Sequence, residues 1–189
     1  MHSATFICSI IIAIFYLVPI ASSEELHARK GFWFGLDTGA GYLKQSFDDR
    51  NEDDLYFFLG FKNGYTINPH FLMGLELSGW LLEAEDPSDP SKGKGIMQVF
   101  LISQMYPSKE SGLFVKVRGG YVENWSNRSG EPNSKKGWGF TLGGGYDFML
   151  YNLLPDNDFT LSPFATFSYG ETGNWDHRAV TVGIGLGIP

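Results

Sequence analysis

The feature that most constrains what this chain can fold into is a period-two alternation of large apolar and small residues. It recurs eight times after residue 30, in segments of about ten residues. In Gly31–Leu43, the residues Phe32, Phe34, Leu36, Ala40 and Tyr42 share one face, against Gly31, Trp33, Gly35, Asp37, Gly39 and Gly41 on the other. Gly137–Phe148 sets Trp138, Phe140, Leu142, Tyr146 and Phe148 against Gly139, Thr141, Gly143, Gly145 and Asp147, and Arg178–Ile188 repeats the pattern. The remaining segments are Leu55–Thr66, Phe71–Leu82, Gly95–Tyr106, Leu113–Trp125 and Phe159–Tyr169. Gly95–Tyr106 is the least regular, because Val99 and Leu101 stand opposite Phe100 and Ile102. Side chains of a strand alternate between the two faces of its sheet, so this pattern reads as an all-β chain.

Period two does not say which face meets water, since a soluble barrel with an apolar interior alternates too. Composition decides. The chain has 24 glycines, and the face opposite the large apolar residues is mostly glycine and small residues. That is a poor coat for a water-exposed surface, which normally carries interspersed charges. It suits a narrow lumen in which small residues leave room for occasional bulky ones such as Trp33, Phe58 and Trp80. The connections point the same way. Ile67–His70, Pro107–Gly112 and Met149–Asp158 are short or moderate, whereas Lys44–Asp54, Glu83–Lys94, Ser126–Lys136 and Gly170–His177 are generally longer and more polar. Short turns at one end and polar loops at the other characterise transmembrane barrels. About 9–11 tilted residues cross a bilayer as a strand, and an open sheet edge there would leave backbone groups unpaired. The expected fold is therefore a closed antiparallel eight-stranded transmembrane β-barrel of up-and-down topology. Aromatics near segment ends (Tyr42, Tyr65, Phe71, Tyr106, Tyr121, Trp125, Trp138, Tyr146 and Tyr169) are expected to form its interfacial girdles.

Residues 1–23 read differently. The run Ala4–Ala21 is uncharged, its densest part is Ile10–Val18, and it ends in small residues before Glu24 and Glu25. This is expected to be a cleaved secretory signal peptide, leaving residues 24–189 as the barrel domain. The single cysteine, Cys8, falls in the leader, so the mature chain has no thiol. The formal net charge of −7, without a basic stripe, argues against a nucleic-acid partner.

The segments GFWFGLDTGAGY (Gly31–Tyr42), LFVKVRGGY (Leu113–Tyr121) and GWGFTLGGGY (Gly137–Tyr146) resemble strands of the small outer-membrane β-barrels, the OmpA-like and opacity-type superfamily. The resemblance covers the whole chain after the leader as a pattern, not a signature motif. It implies a place in the outer membrane of a Gram-negative bacterium. It also implies contact with outer-membrane lipid and lipopolysaccharide, insertion by the barrel assembly machinery, and a monomer. This chain ends Leu186-Gly187-Ile188-Pro189, without the terminal aromatic common in that group.

Six charged residues fall on the inferred lumen face: Asp37, Lys62, Glu76, Lys116, Arg118 and Asp147. Three acids match three bases in the inner half of the barrel, so an internal salt-bridge network is expected, with an ion gate as the less favoured reading. Asp48, Asp49, Glu52, Asp53 and Asp54 form an acidic stretch read as a solvated surface loop; it lacks the glycine and spacing of a calcium loop. No metal and no cofactor is expected. The histidines at His27, His70 and His177 lack a serine two residues on, the pair that lipid A deacylase-type barrels use. A Ser168, Glu171 and His177 set is the weaker catalytic candidate. The leading expectation is a non-enzymatic barrel with a structural or adhesin-like role, meeting an extracellular ligand through its loops. A narrow porin-like channel and a lipid A-modifying enzyme are the alternatives.

Overall fold

The structure, a computed structural model, describes residues 31–47, 50–84, 93–108, 110–126, 134–154 and 157–188. The leader, Cys8, His27, Asp48 and Asp49 lie outside the described residues. The strands are β1 (Gly31–Phe47), β2 (Arg50–Asn68), β3 (Phe71–Ala84), β4 (Gly93–Met105), β5 (Leu113–Ser126), β6 (Ser134–Tyr146), β7 (Phe148–Leu154), β8 (Asn157–Thr172) and β9 (Trp175–Ile188).

All pairings are antiparallel, in the order β6-β5-β4-β3-β2-β1-β9-β8, and β8 pairs back onto β6. The sheet is thus a closed barrel of eight strands. Nine strands fill eight positions because β6 and β7 are two parts of one. Gly145 of β6 stands opposite Phe164 and Phe148 of β7 opposite Leu161, in one continuous register. The interruption falls across from Pro163, which has no N–H to give the ladder.

The strands of 13–19 residues, β7 apart, are longer than a bilayer crossing requires. This corrects the reading of Lys44–Asp54 as a loop. Lys44 pairs with Asp53 and Gln45 with Glu52, so Glu52, Asp53 and Asp54 belong to β2. Above the membrane a strand needs no apolar face, so alternation fades there while the backbone ladder continues. Gly170–His177 likewise resolves into strand around the two-residue turn Gly173–Asn174, where Gly173 (φ 64°) adopts the left-handed backbone a tight hairpin demands. Met149–Asp158 is mostly the β7–β8 hairpin. In these two outer connections, Lys44–Asp54 and Gly170–His177, the expected loop is therefore largely a polar extension of the strands.

The barrel exterior is apolar: Phe32 (73% exposed), Leu36, Leu55 (79%), Phe61, Leu75, Leu101, Val117, Leu142, Ile184 and many others face outward. In β4 both faces are apolar, with Val99 and Leu101 outside and Phe100 and Ile102 buried, which explains its blurred pattern. Lumen glycines lie beneath bulky neighbours. A Cβ at Gly145 would come within 2.7 Å of the Phe114 ring, and one at Gly183 within 2.6 Å of the Phe164 ring. Glycine on this face makes the volume into which inward aromatics turn.

Candidate functional site

The lumen is built by strand parity. Residues of β1, β2, β3 and β5 that alternate with the lipid-facing set point inward, and at Asp37, Lys62, Glu76, Lys116 and Arg118 the inward residue is charged. All five are buried, as is Asp147 just past β6. The Asp37 carboxylate receives Lys62 Nζ at 2.7 Å and Lys116 Nζ at 3.0 Å. Arg118 Nη1 pairs with Glu76 Oε1. Of these pairs, only Lys62–Asp37 joins neighbouring strands, as a diagonal contact between β2 and β1. Lys62 and Glu76 are direct cross-strand partners, yet Glu76 reaches past β4 to Arg118 of β5, and Asp37 of β1 reaches across the lumen to Lys116 of β5. Aromatic rings complete the tier: Lys116 Nζ lies 4.5 Å from the Phe164 centroid, and the Arg118 guanidinium sits over Phe58 and Phe100.

Asp147 accepts hydrogen bonds from Tyr106 Oη at 2.6 Å and Ser162 Oγ at 2.7 Å, and Gln104 Nε2 donates to Tyr106 Oη. Tyr106 is thus a lumen residue, not part of a girdle as its place near a segment end suggested. It follows the outward-facing Met105, so parity turns it inward. The Tyr106→Phe variant leaves the Asp147 carboxylate one donor short and is expected to lose roughly 1–3 kcal/mol of unfolding free energy. Urea unfolding of vesicle-reconstituted protein measures this; an unchanged midpoint would mean that water replaces the phenol freely.

A second tier fills the outer half. Trp80 stacks on Tyr56 (centroids 5.0 Å apart, 30° between planes) and meets His177 edge-on (5.6 Å, 88°). Tyr56 Oη is hydrogen-bonded to Thr181 Oγ1. Leu43, Ile96 and Val122 are buried with them. The sequence reading singled out Trp80 but passed over Tyr56 and His177 as lumen residues, although each continues the parity of an inward neighbour, Phe58 and Ala179. At the inner end, Trp33, Lys62, Gln104, Tyr106, Asp147 and Ser162 line a recess of about 40 Å³, room for a few waters and no more.

The Ser168, Glu171 and His177 set does not assemble. Ser168 and His177 are in the lumen, Ser168 bonded to Thr141, whereas Tyr169 Oη donates to Glu171 outside the sheet wall. His70 sits in the β2–β3 turn with Nδ1 on the Tyr106 carbonyl. Asp53 is exposed on the extension of β2.

The outer surface carries aromatic clusters at both margins of the apolar belt. Phe32 and Tyr65 pack edge to face at the inner margin, while Trp138, Phe140 and Tyr169 pack together at the outer one. A closed eight-stranded antiparallel barrel, apolar outside and polar within, defines a transmembrane β-barrel of the outer-membrane class.

Solved structures of that class share this fold. Neisserial surface protein A superposes with a TM-score of 0.56 at 14% identity, covering 82% of this chain and 96% of that one. Ail, the attachment invasion locus protein of Yersinia pestis, gives 0.53 at 13% identity, covering 84% and 99%. Ail in complex with the heparin analogue sucrose octasulfate gives 0.52 at 12%. At such identities the likeness is one of fold. No family model matches the sequence, and no curated protein sequence matches it significantly.

Proposed function

We propose that this chain is an integral outer-membrane protein of a Gram-negative bacterium that works through its outer end, as a non-enzymatic surface-interaction protein. The observation that carries this reading is the filled lumen. Two tiers of buried side chains, the ionic one and the Trp80–Tyr56–His177 one, occupy the bore. What remains to meet a partner is the outer end. Its four segments, 44–54, 83–94, 123–136 and 170–178, carry 13 acidic and 8 basic residues, a net charge of −5. Neisserial surface protein A and Ail, one named as a surface protein and the other as an attachment protein, lend support to an attachment role. The acidic outer end here favours a basic partner over the sulfated ligand bound to Ail. The ionic tier is assigned a structural role in this reading.

In planar bilayers the reconstituted protein is expected to show no steady conductance. A stable open level at moderate voltage would establish a channel and remove the argument from the filled lumen. Cells displaying the protein are expected to be retained on an immobilised basic protein several-fold better than cells lacking it, with retention falling as salt rises. Equal retention would sink the surface-interaction reading.

A further inference from the structure

We propose that His177 is a proton-operated latch at the outer end of the bore: the neutral ring holds the outer tier together, and the protonated ring releases it. The inference needs only the closed barrel and stands apart from the surface-interaction reading above. Among the described residues His177 is the one imidazole turned into the lumen, since His70 lies in an exposed turn. Phe58, Phe100, Phe114 and Phe164 fill comparable inward positions with hydrocarbon rings. A phenylalanine here would occupy the same space, so packing alone does not call for a ring nitrogen.

The strands around the ring present it with neutral groups. Its cross-strand partners are Gln45 of β1 and Gly170 of β8, and Gly170 lies so close beneath the ring that a Cβ there has no room. Trp80 of β3 meets it edge-on at 5.6 Å and is backed by Tyr56 of β2, whose hydroxyl is bonded to Thr181. Thr172, two residues beyond Gly170 on the same face of β8, is buried too. The charged groups stand off. Lys135 of β6 lies over Trp175, the next inward residue of β9, and Arg118 of β5 is paired with Glu76 of β3 in the ionic tier. Glu52 and Asp54 of β2 pair with Gln45 and Leu43, so β1 stands between them and His177.

A proton added here is costly. His177 is 1% exposed, and its Nε2 has no hydrogen-bond partner among the described residues; nor have Gln45 Nε2, Trp80 Nε1 or Thr172 Oγ1. A cationic imidazole carries two N–H donors, of which the one at Nε2 would face no acceptor. No ion pair among the described residues includes His177, so nothing offsets the burial of its charge. The charge is relieved when the ring leaves the Gly170 wall for water at the mouth. That movement takes β9 off Trp80 and parts the outer ends of β1, β8 and β9. The neutral ring's contribution is present above about pH 6.5, where a free histidine loses its proton, and is lost as pH falls below it. The outer end is thus firm near neutral pH and loosens in mild acid.

The test uses the full mature protein, folded in phospholipid vesicles and unfolded with urea from about pH 7.5 to about pH 5. Because the unfolded chain binds one more proton, the wild-type unfolding constant is expected to rise about 30-fold across that range. H177Q and H177F are expected to lose most of this dependence, whatever their stability at neutral pH, and H70Q to keep it. The slope with pH is the readout, because a merely structural ring would shift the midpoints alike at every pH. A wild-type constant that changes less than about threefold overturns the proposal, as does a dependence that survives in both His177 variants. If neither variant folds, the NMR signal of the His177 ring in wild type decides. A signal that moves with pH in step with exposed His70 marks a solvated imidazole and overturns the proposal; one that stays unmoved where His70 titrates upholds it.

Discussion

Asp37→Asn is expected to be the most damaging single isosteric change in the barrel, costing roughly 3–5 kcal/mol of unfolding free energy. The carboxylate is fully buried and holds two ammonium groups, Lys62 at 2.7 Å and Lys116 at 3.0 Å. Asparagine keeps the shape and removes the charge, leaving two buried cations facing one another with no carboxylate between them. Breaking a buried pair costs more than the pair contributes, because the surviving charge has lost both solvent and partner. Here two charges survive. The Phe164 face beneath Lys116 offsets little, since a cation–π contact supplies about 0.5–2 kcal/mol. Urea unfolding in lipid vesicles, followed by tryptophan fluorescence, gives the number. The double variant D37N/K116M is expected to recover a sizeable part of the loss by removing one stranded cation. A D37N midpoint within the error of wild type would show that the tier is hydrated and carries no structural weight.

The second large effect is expected at Trp80. Trp80→Ala removes a side chain that is 1% exposed and touches both Tyr56 and His177, and is expected to cost roughly 3–5 kcal/mol. The fixed curvature of a closed barrel limits collapse around the void. Conductance adds a second readout. W80A clears part of the outer tier but leaves Arg118–Glu76 and Lys116–Asp37–Lys62 across the bore, so no steady current is expected. If W80A conducts, the ionic tier is no barrier and the indole alone closes the wall-to-wall seal. If it neither conducts nor loses stability, the outer half is already wet.

Much of this was legible from parity. Phe32, Phe34 and Leu36 against Trp33 and Asp37 sorts outside from inside, and the same count along each strand put six charged residues in the lumen. Parity failed at boundaries. Tyr106 lies at a strand end, where aromatics suggest a girdle, yet it is the residue after an outward Met105. Asp53 is in a strand extension because backbone pairing there proceeds without apolar alternation to mark it. Nor was the break between β6 and β7 evident, although Pro163 opposite Tyr146 is its physical cause.

Alternation, glycine content and segment length determined by themselves an all-β chain whose apolar face turns outward, and which residues share each face. These are local properties, set by the two-residue repeat of a strand and by what hydrocarbon tolerates. Only the closed barrel decided that Glu76 takes Arg118 and not its cross-strand neighbour Lys62, and that Asp37, beside Lys62 on the paired strand, also takes Lys116 from the opposite wall. Such pairings join residues far apart along the chain, through the stagger of the strands and the width of the bore. No single segment carries that information, because it arises when the sheet closes on itself.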